Sequence, residues 1–161
     1  MRAFVAFHIL ETMKSPLNRE QTIDLLRAHD INLTQPRIDI AHVLFSRMEH
    51  LSADQILAMV NETSPSASKA TVYNTLKVLR EAGLIREVIV DPTKVFFDPN
   101  TEPHHHLYDV VTGCLTDIPN HTLRVEGMPD LPPGMVADGI DIVVRMRPGL
   151  QSMGGEGALS H

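Results

Sequence analysis

Between Ser68 and Gly83 the chain carries a helical signal, and a hairpin signal follows it directly; no other feature restricts the fold as much. Ser68 suits a helix N-cap, Val72, Leu76 and Leu79 form an i, i+4, i+7 stripe, and Gly83 is the stop. The face left over holds Lys69, Tyr73, Asn74, Lys77 and Arg80. Residues 84–90, an Asp91-Pro92 turn and residues 94–97 then read as a strand, a tight turn and a second strand.

Three shorter helices are predicted upstream. Asn18 with Gln21 opens one near residues 18–30, where Ile23, Leu26 and Ile31 keep near-helical spacing. Thr34 can cap the next, with Pro36 in its first turn and Ile38, Ala41, Phe45 and Met48 on one face as far as Arg47. Ser52 and Gln55 make a capping box for the third, whose buried side is Ile56, Met59 and Val60, and residues 63–68 form a turn. Short helices followed by a hairpin describe a winged helix-turn-helix.

Beyond Asp98, prolines at 99, 103, 119, 129, 132 and 133 exclude long helices, and β-rich runs appear at 107–111, 115–118 and 140–146. The expected fold is therefore α+β. Residues 1–15 form an N-terminal extension, 16–97 the winged-helix DNA-binding domain, 98–147 a small β-rich domain, and 148–161 a disordered, glycine-rich tail.

The formal charge of −6 looks unsuited to nucleic acid, but it is unevenly distributed. Residues 1–90 carry 10 basic and 10 acidic side chains, and residues 91–161 carry 4 and 10. The N-terminal part can thus still present a local basic face. One cysteine, Cys114, excludes an intramolecular disulfide framework and any thiolate-rich zinc site within one chain, and points to the cytoplasm. The apolar stretch at residues 3–10 contains His8 and is followed by no small-residue cleavage site, so no signal peptide is expected; no segment approaches the length of a membrane span.

A helix with an aliphatic inner stripe and Tyr, Asn, Lys and Arg outside has the chemistry of a major-groove reader. Asn pairs with an adenine edge, Tyr meets thymine methyls or phosphate, and the cations Lys69 and Lys77 hold the backbone. An ordinary amphipathic helix with a solvated polar face is the competing reading, and the adjoining hairpin argues against it.

Residues 68–76, Ser-Lys-Ala-Thr-Val-Tyr-Asn-Thr-Leu, with Arg80, Gly83 and Leu84 behind them, resemble the recognition-helix signature of the ferric-uptake-regulator (Fur) family. Thr34-Gln35-Pro36-Arg37 is similar to that family's helix-two opening, whose Arg contacts DNA, and the resemblance covers about residues 17–147. It implies a homodimer on double-stranded DNA with a palindromic operator, the β-rich domain serving dimerisation and metal binding. Arg37, Ser68, Thr71, Tyr73 and Asn74 would then touch the duplex.

In an extended backbone His104 and His106 project to one side and His105 to the other, so two imidazoles converge. Asp98 lies six residues before His104, Asp117 eleven after His106, and His50 precedes the third capped helix. These five positions match the regulatory metal site of the family's peroxide-sensing branch. An all N/O set of His50, Asp98, His104, His106 and Asp117 suits Fe²⁺ or Mn²⁺, with Zn²⁺ as a substitute. The resemblance puts one ligand in the DNA-binding domain and four in the β domain, so that one ion would set the angle between them.

Two departures matter. The family's structural zinc is held by Cys-x-x-Cys, and Asp109 and Thr112 stand at those positions, so that zinc is expected to be absent; Cys114 is read as a small, at least half-buried residue. The triplet His104-His105-His106, the missing cysteines, and the segments at 128–135 and 141–147 resemble the iron-response-regulator (Irr) branch, where the triplet is associated with haem and the protein controls iron or haem homeostasis. No Cys-Pro haem-regulatory motif is present. His8, His29, His42 and His161 are read as incidental, and His121 is given no role. The chain is not expected to be an enzyme: a His/Asp hydrolase centre would need a general base or nucleophile that no motif supplies, and a metal store would not need Tyr73 and Asn74 on one helix face.

Overall fold

The computed structural model describes residues 15–149 except 64, 66 and 120. Nearly all of the extension at 1–15, the tail from 150 onward, His8 and His161 therefore lie outside the described residues. The chain divides into two compact units, the first closing at Glu102 and the second opening at Pro103.

The first unit holds helices α1 (Arg19–Ala28), α2 (Gln35–Arg47), α3 (Ala53–Thr63) and α4 (Lys69–Glu81), then strands β1 (Arg86–Asp91) and β2 (Lys94–Asp98). Each helix starts where a side chain can serve otherwise unpaired backbone N–H groups. Asn18 accepts from Gln21 N at 2.9 Å while the Gln21 side chain accepts from Asn18 N, also at 2.9 Å. Ser52 and Gln55 make the same reciprocal pair, and Ser68 Oγ accepts from Thr71 N at 3.1 Å. Thr34 sits at the N-cap of α2 but makes no side-chain cap bond. Pro36 stands in the first turn of that helix and brings no N–H there.

The first helix is shorter than its periodicity suggests, with His29 as C-cap and Asp30 left-handed at φ 54°. Ile31 reaches the core from the loop instead. On α2 the buried stripe is Ile40, Ala41, Leu44 and Phe45, rotated from the expected one, with Ile38 and Met48 only half-buried. These side chains pack with Leu25, Leu26, Ile56, Val72, Leu76, Leu79, Leu84 and Phe97 into one core. Each fully buried Leu, Ile or Phe contributes about 1.5–3 kcal/mol. Gly83 at φ 72° ends the α4 turn, where any side chain would be strained.

Strands β1 and β2 pair antiparallel from Arg86↔Asp98 to Asp91↔Lys94, with an irregularity between Ile89 and Asp91. The Asp91 carboxylate accepts from Thr93 N at 2.8 Å and from its hydroxyl at 2.7 Å, which closes the turn. Helices and hairpin together form the expected winged helix.

The second unit is a three-stranded sheet in the order β4 (Leu115–Ile118), β3 (His105–Asp109), β5 (Val143–Met146), with β3–β4 antiparallel and β3–β5 parallel. Two strand readings need correction. Strand β3 ends at Asp109, whose Oδ1 accepts from Val111 N at 2.8 Å and Thr112 N at 3.2 Å and bends the chain into a turn, while Val110 N still donates to Met146 O at 3.1 Å. Residues 140–142 precede the last strand, attached through Ile142 O, which accepts from His106 N at 3.0 Å. Cys114 also differs from expectation: it is exposed, since it follows Gly113 (φ 73°) at the end of that turn and faces no packed layer.

Candidate functional site

The outer face of α4 carries Lys69, Tyr73, Asn74 and Lys77, all exposed, with Tyr73 showing 49% of its surface. Its inner face, Val72, Thr75, Leu76 and Leu79, is sealed in the core, so the outer stripe is held at a fixed angle on a rigid support. Ser68 and Thr71 are less free: the Ser68 hydroxyl caps the helix and its oxygen lies 2.8 Å from the Thr71 hydroxyl. Arg37 is half-buried and donates from Nη1 to Asn32 O at 2.7 Å, an anchoring contact that sequence spacing does not reveal.

The loop before α3 and the end of β2 are stitched together by one isolated bridge. Leu51 N donates to Phe97 O at 3.3 Å and Phe97 N to Leu51 O at 2.8 Å. Antiparallel pairing of 51 with 97 sets residue 50 opposite residue 98. His50 Nε2 accordingly stands 3.3 Å from Asp98 Oδ2, with side-chain exposures of only 10% and 2%. The Asp98 carboxylate also accepts from Asn100 N at 2.8 Å, which orients it as the chain leaves the wing. Both residues belong to the first unit, which runs on past the expected boundary at Asp98 to Glu102.

In the second unit the β3–β4 register pairs His106 with Asp117. Cross-strand partners share a face and alternate residues of one strand share a side, so His104, His106 and Asp117 gather on one side. His104 Nε2 lies 3.1 Å and His106 Nε2 3.7 Å from the same carboxylate oxygen, Asp117 Oδ1. The two imidazole rings meet edge-on with centroids 4.5 Å apart. His104 and His106 are buried, while Asp117 remains partly open to solvent. His105 projects to the other side, where its Nδ1 accepts from Ile142 N at 3.4 Å.

Two donors each about 2.1 Å from a common ion and 90–110° apart stand about 3.0–3.4 Å from one another. The separations of 3.1 Å in the second unit and 3.3 Å in the first fall in that range, and 3.7 Å lies slightly outside it. Imidazole nitrogen with carboxylate oxygen is the donor set of Fe²⁺, Mn²⁺ and Zn²⁺ sites. The first unit thus offers one such pair of donors, His50 and Asp98, and the second offers three, His104, His106 and Asp117.

Residues 28–127 match the family described as "Ferric uptake regulator family". A peroxide-responsive repressor, PerR, of Staphylococcus aureus is 33% identical over 98 residues, covering 61% of this chain and 66% of that one. The chain spans just under two thirds of the length of such curated relatives. Among solved structures, the ferric uptake regulator of Vibrio cholerae superposes with a TM-score of 0.60 at 17% identity, covering 78% of this chain and 98% of the other. The ferric uptake regulator of Pseudomonas aeruginosa solved with manganese gives 0.58 at 23% identity, covering 79% and 97%. At these identities the two structures establish a shared fold.

Proposed function

The chain belongs to the ferric uptake regulator family, and we propose that it is a metal-responsive transcription regulator that binds duplex DNA as a homodimer in the cytoplasm. The observation that carries this is the pair of buried imidazoles, His104 and His106, turned onto one Asp117 oxygen from a single face of a small sheet. His50 and Asp98 of the first unit are the remaining ligands in this reading. A bound Fe²⁺ or Mn²⁺, or Zn²⁺ in its place, would supply the charge that draws the five side chains together. Ligands contributed by both units make the position of α4 depend on their being engaged. In a dimer that position sets the distance between two reading helices, and half-sites about 34–36 Å apart on a palindromic operator demand one particular value.

On the DNA side, Tyr73 and Asn74 reach base edges, Lys69 and Lys77 hold phosphates, and Ser68 and Thr71 present the helix start to the backbone. Arg37 supports the same approach from α2. Anisotropy on a duplex taken from upstream of the gene, at one fixed salt concentration, tests the assignment. Tyr73→Ala weakens binding at least tenfold in a regulator and leaves it unchanged in a metal store.

Two finer readings differ in their signal. The triplet and the missing Cys-x-x-Cys favour control of iron or haem genes, as in the iron-response branch. The relatives named peroxide-responsive repressors favour peroxide sensing through the same five ligands. Haem is the less favoured ligand on geometry, since His106 has no exposed surface and both outer imidazoles face a carboxylate. Adding hydrogen peroxide to the Fe²⁺-loaded and the Mn²⁺-loaded protein separates the readings. Loss of DNA binding in the Fe²⁺ form alone supports peroxide sensing; loss on adding haem, with peroxide inert, supports the iron-response branch.

A further inference from the structure

Each of the three cations of α4 is paired with a carboxylate, and the three carboxylates come from three different elements. Lys69 Nζ lies 3.3 Å from Asp54 Oδ1 on α3, Lys77 Nζ 3.9 Å from Glu81 Oε1 one turn along α4, and Arg80 Nη1 2.7 Å from Glu87 Oε1 on β1. At 100° per residue Lys69, Tyr73, Lys77 and Arg80 span an arc of about 80°, so these pairs border the face that carries Tyr73. Over residues 1–90 basic and acidic side chains are equal in number, so that part of the chain carries no overall excess of cations.

We infer that Asp54, Glu81 and Glu87 set the sequence-independent DNA affinity of this protein, by neutralising the cations of the reading helix so that arbitrary duplex is held weakly. This rests on α4 facing DNA, as proposed above. Non-specific binding is almost wholly an exchange of condensed counterions for protein cations. A lysine or arginine with a carboxylate within 4 Å brings little net charge to a phosphate, and all three carboxylates lie well inside a Debye length of about 8–10 Å. The pairs are solvent-exposed, and exposed pairs are individually weak, so they do not lock the helix. They act through the local field, and base contacts must supply what the phosphates do not.

The test uses the full Mn²⁺-loaded chain and a fluorescein-labelled duplex of scrambled sequence, titrated across a series of salt concentrations. The triple variant Asp54→Asn, Glu81→Gln, Glu87→Gln is compared with a charge-matched control, Glu20→Gln, Asp130→Asn, Asp138→Asn, placed on exposed residues outside α3, α4 and β1. The expected result is at least tenfold tighter binding by the first variant, a salt slope steeper by about 1–3, and less than threefold change in the control. Binding by the first variant within twofold of wild type, or an equal gain in the control, overturns the inference while leaving the DNA reading intact. If neither wild type nor variant binds any duplex at low salt, the DNA reading of α4 itself fails and this inference with it.

Discussion

His106 and Asp117 face each other across the β3–β4 ladder, Nε2 to Oδ1 3.7 Å apart, and His104 brings its own Nε2 to 3.1 Å from the same oxygen. One carboxylate oxygen thus lies close to two buried imidazoles, the arrangement that makes Asp117 a ligand in the proposed site. Asp117→Ala should lower Mn²⁺ affinity at least tenfold in a calorimetric or EPR titration, with the far-ultraviolet circular dichroism spectrum unchanged. Affinity within twofold of wild type would remove Asp117 from the ligand set.

The capping bond of Ser68 predicts a stability effect separable from DNA contact. Ser68→Ala leaves Thr71 N without its partner and should destabilise the protein by about 1 kcal/mol in urea unfolding. Ser68→Asn, which also caps, should restore stability. If Asn restores stability but DNA binding stays weak, the hydroxyl itself touches the duplex; if Ala proves neutral, the cap contributes nothing here.

Three of the helix starts were readable because capping residues act locally: Asn18, Ser52 and Ser68 each find their partner three positions on. Thr34 fits the same local rule, yet its side chain makes no cap bond. Strand ends were less readable, since Val110 and Val111 are as apolar as any strand residue, yet the Asp109 side chain bends the chain into a turn there. Cys114 was misjudged for the same reason, its exposure following from the turn it ends. The His and Asp positions of the candidate site stood out by spacing. What places His50 against Asp98, the Leu51–Phe97 bridge, joins residues far apart in sequence and left no local trace.

The turn at Asp109 should respond to acid. Its carboxyl is held below the ordinary carboxylate range, first by the Val111 N–H and then by Thr112. A depressed carboxylate contributes stability that is fully present above its unfolded pKa and is lost as pH falls through its folded one. Amide exchange at Val111 and Thr112 should therefore be slow near neutrality and accelerate in acid, relative to its intrinsic rate, once the carboxylate protonates. Asp109→Asn keeps an acceptor that does not titrate and should flatten this dependence. A wild-type profile as flat as that of the variant would contradict the role given to the carboxylate.

The wing turn gives a parallel case. Asp91 is held low mainly by the Thr93 hydroxyl and then by the Thr93 N–H. Thr93→Val removes the first of these, so the Asp91 carboxyl should titrate at a higher pH in the variant, read from its side-chain carbon shift by NMR. An unmoved titration would show that the hydroxyl contact is not formed in solution.

The most direct measurement of the central claim is DNA affinity with and without metal. Anisotropy on the upstream duplex at fixed salt would compare protein stripped with chelator, protein loaded with Mn²⁺, and His106→Ala under both conditions. Mn²⁺ should change the affinity of the wild type at least tenfold, which corresponds to about 1.4 kcal/mol of coupling, and should leave His106→Ala unmoved. Equal affinity of stripped and loaded wild-type protein, or an undiminished metal effect in His106→Ala, would contradict metal control through this site.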